Sequence, residues 1–187
     1  MLEVNFNPFP VLETERLVLR RTTLDDAEHY FELRSNVDAM KHICKPLQKS
    51  VEETKELIYK INEMIAFNNG ISWSVCLKSD NKMIGTVSFH RIMKEHYRAE
   101  IGYMLHPSFW KQGIISEAAG VVIKYGFENM KLHSIEANID PTNIGSEKLL
   151  KKFNFVKEAY YKENYFYEGQ FLDSAVFSLL NPSSKNK

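Results

Sequence analysis

The chain is short of cysteine, has no net charge and carries no long apolar run. Cys44 and Cys76 are its only cysteines in 187 residues, too few for the disulfide framework of a small secreted domain. Cys76 lies in a strand-like stretch, where a buried, reduced thiol is expected. Lysine plus arginine and aspartate plus glutamate number 24 each. No global field therefore draws the molecule to nucleic acid or to an anionic membrane, and a polyanion must be held by a local site. No apolar stretch approaches the roughly 20 residues of a membrane helix. The start Met1-Leu2-Glu3-Val4-Asn5-Phe6 lacks the basic and apolar segments of a signal peptide, so a cytoplasmic location is expected. His90, His96, His106 and His133 make no metal spacing with either cysteine, and no HExxH occurs. No metal is expected. The GxxxxGK[ST] phosphate loop is missing as well.

With 44% hydrophobic and 26% charged residues, the chain has the balance of an ordinary globule. Its length suits one domain over residues 1–187, with a core from about 14 to 180 and a disordered tail at 182–187. Arg16 to Arg21 alternates as a strand, and Leu24 to about Val37 has helical spacing through Leu24, Ala27, Tyr30 and Phe31. Ser50 and Glu53 form a capping box ahead of a helix lined by Leu57, Ile58, Ile61, Met64 and Ile65. Strands are expected at Ile71–Leu77, at 83–90 and at about 98–106, the first two as a hairpin. A helix from about Ser116 to Asn129, a strand at 133–139 and a helix lined by Ser146, Leu149, Leu150 and Phe153 follow. Two last strands meet at Glu168-Gly169. This order makes an α/β (α+β) fold, a mixed sheet with helices on both faces.

The most informative stretch is Leu105 to Ala118. A strand breaks at Pro107, a bulky basic loop with one glycine follows, and an apolar helix begins. A strand that passes a glycine-bearing loop to a helix N-terminus makes an anion site, because the first N–H groups are free and the helix dipole adds positive charge. Lys111, Gln112, Gly113, Ile114, Ile115 and Ser116 form that site, and a phosphate group is its natural occupant.

Several blocks together carry a resemblance: Glu13-Thr14-Glu15-Arg16-Leu17-Val18-Leu19-Arg20, then Ala99-Glu100-Ile101-Gly102-Tyr103, then Trp110-Lys111-Gln112-Gly113 with Ser116-Glu117-Ala118, and Asn143 to Phe155. In this order they resemble the GCN5-related N-acetyltransferases, most closely the branch of ribosomal-protein alanine N-acetyltransferases, from about Thr14 to Leu180. The resemblance implies a single-domain fold with a mostly antiparallel, twisted sheet of about seven strands and about four helices, splayed between the fourth and fifth strands. It implies direct transfer of acetyl from acetyl-CoA to a primary amine, on a protein N-terminus such as a ribosomal protein's or on a small molecule. The pyrophosphate is expected on the loop Lys111–Ser116, and Asn143 is expected to bind the pantetheine arm. Ile115 departs from the small residue usual there.

Amine acetylation needs a base, a polarised carbonyl and an acid for the leaving thiolate. Glu100 is the candidate base or amine-binding group, since a mid-strand carboxylate is costly without a purpose or a partner. A salt bridge to Arg98 or to a cross-strand lysine is its alternative. The resemblance places Ser146 near the thioester sulfur as the acid. The tyrosine many relatives carry one turn later is replaced by Leu150, so Ser146 or a water must serve. An ordinary helix-face serine bonded to the i−4 carbonyl is the alternative for Ser146. Backbone amides near Met104 and Leu105 are expected to contact the oxyanion. Neither cysteine sits in a nucleophile motif. The chain is expected to act as a monomer or homodimer, without nucleic acid or membrane. A non-catalytic acyl-CoA-sensing module is the rival function.

Overall fold

Period-two alternation becomes an eight-stranded sheet in the computed structural model, which describes residues 1–183. The strands are β1 (Leu12–Glu13), β2 (Leu17–Arg21), β3 (Ile71–Leu77), β4 (Met83–Met93), β5 (Arg98–Leu105), β6 (Ser134–Ile139), β7 (Val156–Tyr167) and β8 (Gln170–Leu180). They lie in the order β1-β2-β3-β4-β5-β6-β8-β7. The helices are α1 (Ala27–Ser35), α2 (Val37–Met40), α3 (Val51–Ala66), α4 (Ile114–Glu128) and α5 (Ile144–Lys152). Among the described residues only β5 and β6 run parallel, and the crossover that parallel pairing requires is supplied by α4.

The additions to the expected seven strands and four helices are the shortest elements, β1 and α2. The single helix expected from Leu24 to Val37 is broken. Leu24–Asp26 is a tight 3-10 turn with Leu24 exposed, and the buried stripe of α1 is Ala27, Tyr30 and Leu33. Asn36 then leaves helical geometry (φ −77°, ψ 119°), and its side chain accepts from the Ala39 N–H to start α2. A cap of this kind is polar and silent in the hydrophobic period. At α3 the Ser50 hydroxyl accepts from the Glu53 N–H, but Glu53 reaches back to the Lys49 N–H instead of that of Ser50. The expected disordered tail lies, from residue 184 on, outside the described residues.

The sheet is covered on both faces. On one, α4 lays Ala118 and Val122 against Trp73, Phe89, Ile101 and Phe177; on the other, α1 to α3 lay Tyr30, Leu33 and Ile58 against Cys76, Met83 and Met104. Leu2 and Phe6 are buried in the first layer, so packing begins before the expected boundary at Thr14. Burial pushes the Cys76 thiol up to about 12, which keeps it neutral. Gly126 of α4 lies where an added Cβ would come within 2.8 Å of Phe89 and 3.2 Å of Leu132. Gly126→Ala is expected to cost about 2 kcal/mol by overpacking, read as a lower urea midpoint with an unchanged m-value. An unchanged midpoint would show that this contact yields freely.

Candidate active site

β6 pairs with β8 along its whole length, from Ser134 opposite Leu180 to Ile139 opposite Ala175. β5 stays with β4 as far as Leu105 opposite Gly85. Between them, pairing covers only Arg98–Glu100 against Ser134–Glu136. Each strand follows its outer neighbour, and the twist of the sheet opens the gap. The result is a cleft of about 710 Å³ whose walls include Glu100, Tyr103, Asn143 and Ser146.

The His106 N–H donates to the Ile84 carbonyl at 2.9 Å, which fixes the phase of the β4–β5 ladder. Alternation then turns the N–H groups of Tyr103 and Leu105 toward the gap, while that of Ile101 closes the last rung of the β5–β6 pairing. The Met104 N–H faces β4, opposite Thr86. Of the two amides expected at the oxyanion, Leu105's lies on the open side and Met104's does not. The Met104 side chain packs into the opposite layer with α1 and α3.

Asn143 caps α5, its side-chain oxygen accepting from the Ser146 N–H at 2.9 Å. This cap turns Ser146 toward β5, where its hydroxyl lies 2.5 Å from the Tyr103 phenol. Ser146 therefore bonds across the cleft and not to its own helix. Burial pushes the Tyr103 phenol up to about 12, so the pair carries protons through the neutral range. Leu150, one turn on, is buried in the core. The Tyr103 phenol thus sits beside the serine, a contact between residues 43 apart that no local spacing encodes.

Glu100 is 7% exposed at the closed end of the cleft. Its partners are the Arg91 guanidinium at 2.9 Å and His90 Nε2 at 3.4 Å. Arg98 bonds Glu136 instead, at 2.6 Å. Burial raises the Glu100 pKa, and the hydrogen bonds and charges of His90 and Arg91 more than offset this. The carboxyl titrates below its ordinary range and stays ionised, which makes it a good cation ligand and a weak base.

In the anion loop, Lys111 (φ 60°) and Gly113 (φ 77°) both adopt left-handed backbone, the kind of geometry that turns N–H groups into an anion-binding concavity. Gly113 is the N-cap of α4, so the helix starts at Ile114, two residues before the expected Ser116. The first bond back to the cap comes from Glu117 N–H to the Gly113 carbonyl. The N–H groups of Ile114, Ile115 and Ser116 have no partner among the described residues. Ile115 packs its side chain against the core, so the branched residue does not fill the loop. Gln112 bonds the Ser108 carbonyl through its side chain, and Trp110 the Leu105 carbonyl through its indole.

The first and third sequence blocks meet here. Glu117 accepts from Thr14 Oγ1 at 2.5 Å, from the Arg16 backbone at 3.1 Å and from Arg16 Nε at 2.7 Å. Arg16 Nη1 also holds the Gln112 carbonyl at 3.1 Å. Arg16 thus cancels the one acidic charge in the first turn of α4 and ties down a loop carbonyl that would repel an anion. The paired residues Arg16 and Glu117 are 101 positions apart, so no local pattern in either block encodes the contact.

Other residues take plainer roles. Tyr160, Tyr165 and Phe171 pack in the β7–β8 hairpin and also line the cleft. Asp173 accepts from the Tyr160 hydroxyl and the Glu163 N–H, a sheet contact. Lys148, Lys151 and Lys152 are exposed on α5, with Lys151 paired to Glu147. Cys44 lines the cleft with its thiol pushed up by burial. His42, absent from the sequence-derived set, lines the same cleft.

The model of the acetyltransferase (GNAT) domain family matches residues 16–156. The chain is 34% identical to the N-acetyltransferase YoaA of Bacillus subtilis (strain 168), over 93% of this chain and 98% of that one. It is 26% identical to the ribosomal protein uS5 alanine N-acetyltransferase of Escherichia coli (strain K12), over 91% of each. A GNAT-family acetyltransferase structure from Bacillus anthracis superposes with a TM-score of 0.82 at 30% identity, covering 92% of this chain and 99% of that one. Family model, relatives and splayed sheet agree, and the chain belongs to the GNAT N-acetyltransferases.

Proposed function

We propose that the chain transfers acetyl from acetyl-CoA to a primary amine by direct attack, in the cytoplasm, as a monomer or homodimer. The observation that carries this reading is the cleft opened where β5–β6 pairing stops after Glu100, because it collects an ionised carboxylate, a neutral phenol–serine pair and free strand amides. The pyrophosphate lies on the N–H groups of Ile114, Ile115 and Ser116 beyond Lys111, Gln112 and Gly113. The pantetheine arm runs past Asn143 and along the open edge of β5. The Leu105 amide polarises the thioester carbonyl, and Glu100 binds the acceptor ammonium. Ser146, backed by Tyr103, protonates the leaving thiolate.

The acceptor is a protein N-terminal amine, such as a ribosomal protein's, or a small amine. Both suit a cleft with the Glu100, Asp140, Glu163 and Asp173 carboxylates and the Tyr160, Tyr165 and Phe171 rings on its walls. Thiol release from acetyl-CoA, measured with a panel of small amines and N-terminal peptides, tests the reading. Turnover with at least one of them is expected. CoA binding without acetylation of any amine would instead make the chain an acyl-CoA sensor.

Gly113→Ala probes the anion loop. Alanine at φ 77° costs roughly 1 kcal/mol more than glycine, and relaxation of the loop would withdraw N–H groups from the phosphate. The Kd for CoA is expected to rise about fivefold to tenfold by calorimetry, while dephosphorylated pantetheine, which lacks the pyrophosphate, should bind both proteins alike. Equal CoA affinities would remove the loop from the binding site.

A further inference from the structure

The acceptor ammonium must lose a proton before attack, and neither group at the closed end of the cleft is suited to take it. Both Glu100 oxygens are engaged, Oε1 by His90 and Oε2 by Arg91. His90 directs Nε2 at Glu100 and packs its ring against Gly102.

The other wall carries an imidazole in a different setting. His42 follows α2 on a loop anchored to the β2–β5 half of the sheet by Ile43, which packs with Met104 and the α1–α3 layer. Its Nδ1 lies 2.7 Å from Asp140 Oδ2, just beyond the end of β6. The contact joins the two half-sheets across the gap. Asp140 Oδ1 is already occupied by the Thr142 N–H and hydroxyl, each at 2.8 Å. Oδ2 is left to accept from His42, and this fixes the proton of the neutral ring on Nδ1. Nε2 then presents its lone pair and has no hydrogen-bond partner among the described residues. The ring's polar contacts are Asp140 at 2.7 Å and the Thr142 hydroxyl at 3.4 Å, both at Nδ1, and the cleft it lines also carries Cys44, Lys45, Tyr160, Glu163 and Asp173. Burial opposes ionisation of Asp140, but His42 and Thr142 hold its carboxyl below the ordinary range. An anion thus stands ready behind the ring to stabilise an imidazolium. Asp140 also leads within six residues through Asn143 to Ser146, so one turn carries both the carboxylate behind His42 and the acid.

We propose that His42, oriented by Asp140, is the proton acceptor for the amine. This rests on the acetyltransferase reading above. The ammonium gives one proton to His42 Nε2, which passes it to solvent. The neutral nitrogen then attacks the thioester carbon, the C–N bond forms and the C–S bond breaks. The thiolate takes a proton from the Ser146–Tyr103 pair. The second proton shed by nitrogen replaces it through solvent, so the net release is one proton for each amide formed.

Chemical rescue tests the assignment. His42→Ala is expected to lower kcat/KM for the amine by about 100-fold with CoA affinity unchanged, and added imidazole should restore the rate in proportion to its concentration. His42→Gln, which keeps a donor for Asp140 but no base, should be equally slow without imidazole. Its intact CoA binding reports on folding. Asp140→Asn should also slow transfer, but without rescue, since the ring is still present. Full activity in His42→Gln, or a loss in His42→Ala that imidazole leaves untouched, overturns the proposal while the acetyltransferase reading stands. A wild-type chain that binds acetyl-CoA and acetylates no amine overturns both.

Discussion

Ser146→Ala and Tyr103→Phe are each expected to lower kcat about 100-fold, the ordinary contribution of a positioned acid, with the Kd for acetyl-CoA nearly unchanged. The reason lies in the leaving group. A thiolate departing into a partly closed cleft needs a proton, and the hydroxyl and the phenol, 2.5 Å apart, line that cleft. Because they act as one pair, Tyr103→Phe/Ser146→Ala should be no slower than Ser146→Ala alone, a marked departure from additivity. Multiplied losses in the double variant would show two independent roles and contradict the relay. The phenol is pushed up to about 12, so loss of the acid should cause no fall in rate between about pH 7 and 10. Stability has its own signature. An unfolded tyrosine titrates near about 10, below the folded value. The stabilisation from burying the neutral phenol is therefore complete below that pH and is lost as pH rises toward 12.

Glu100→Gln is expected to reduce kcat/KM for the amine about 50-fold, chiefly through KM, because truncating one member of a desolvated charge pair costs several kcal/mol at most interfaces. Glutamine matches the shape of Glu100 but leaves the ammonium facing Arg91 and His90 without an intervening anion. The KM for acetyl-CoA should not move. The native carboxyl titrates below its ordinary range, so it remains charged as pH falls toward about 5. The ratio of variant to wild-type KM should then be flat from neutrality down to that point. An equal KM in the variant would place the ammonium elsewhere, and a kcat effect alone would argue for a role in proton transfer.

The parts of this molecule that were legible in its sequence are the local ones. Strand alternation puts Glu100 and Tyr103 on opposite faces of β5, and Gly113 marks the turn ahead of α4, although the helix begins at Ile114 and not at the expected Ser116. The Ser50 cap of α3 is legible as well, as a polar residue ahead of an apolar helical stripe, although Glu53 reaches back to Lys49 and not to Ser50. Partnerships across the gap were not legible. Tyr103 meets Ser146 and His42 meets Asp140 only because β5 and β6 separate, and that follows from β8 inserting beside β6, a choice of sheet order. The same holds for Glu100, whose salt bridge goes to Arg91, beyond the cross-strand neighbour His90, because β4 shifts register between His90 and Met93. Ile115 stands where the resemblance leads one to expect a small residue. Placed inside the first turn, it points its bulk into the core.

The central claim is direct transfer inside this cleft, with no acyl group held on the protein. Single turnover with acetyl-labelled CoA and an accepted amine, quenched at successive times, tests it most directly. The account predicts that label leaves the thioester and appears on the amine at the same rate, with none on the protein, Cys44 included. Label accumulating on the chain before the amine, or thioester that stays intact beside bound amine, would contradict it.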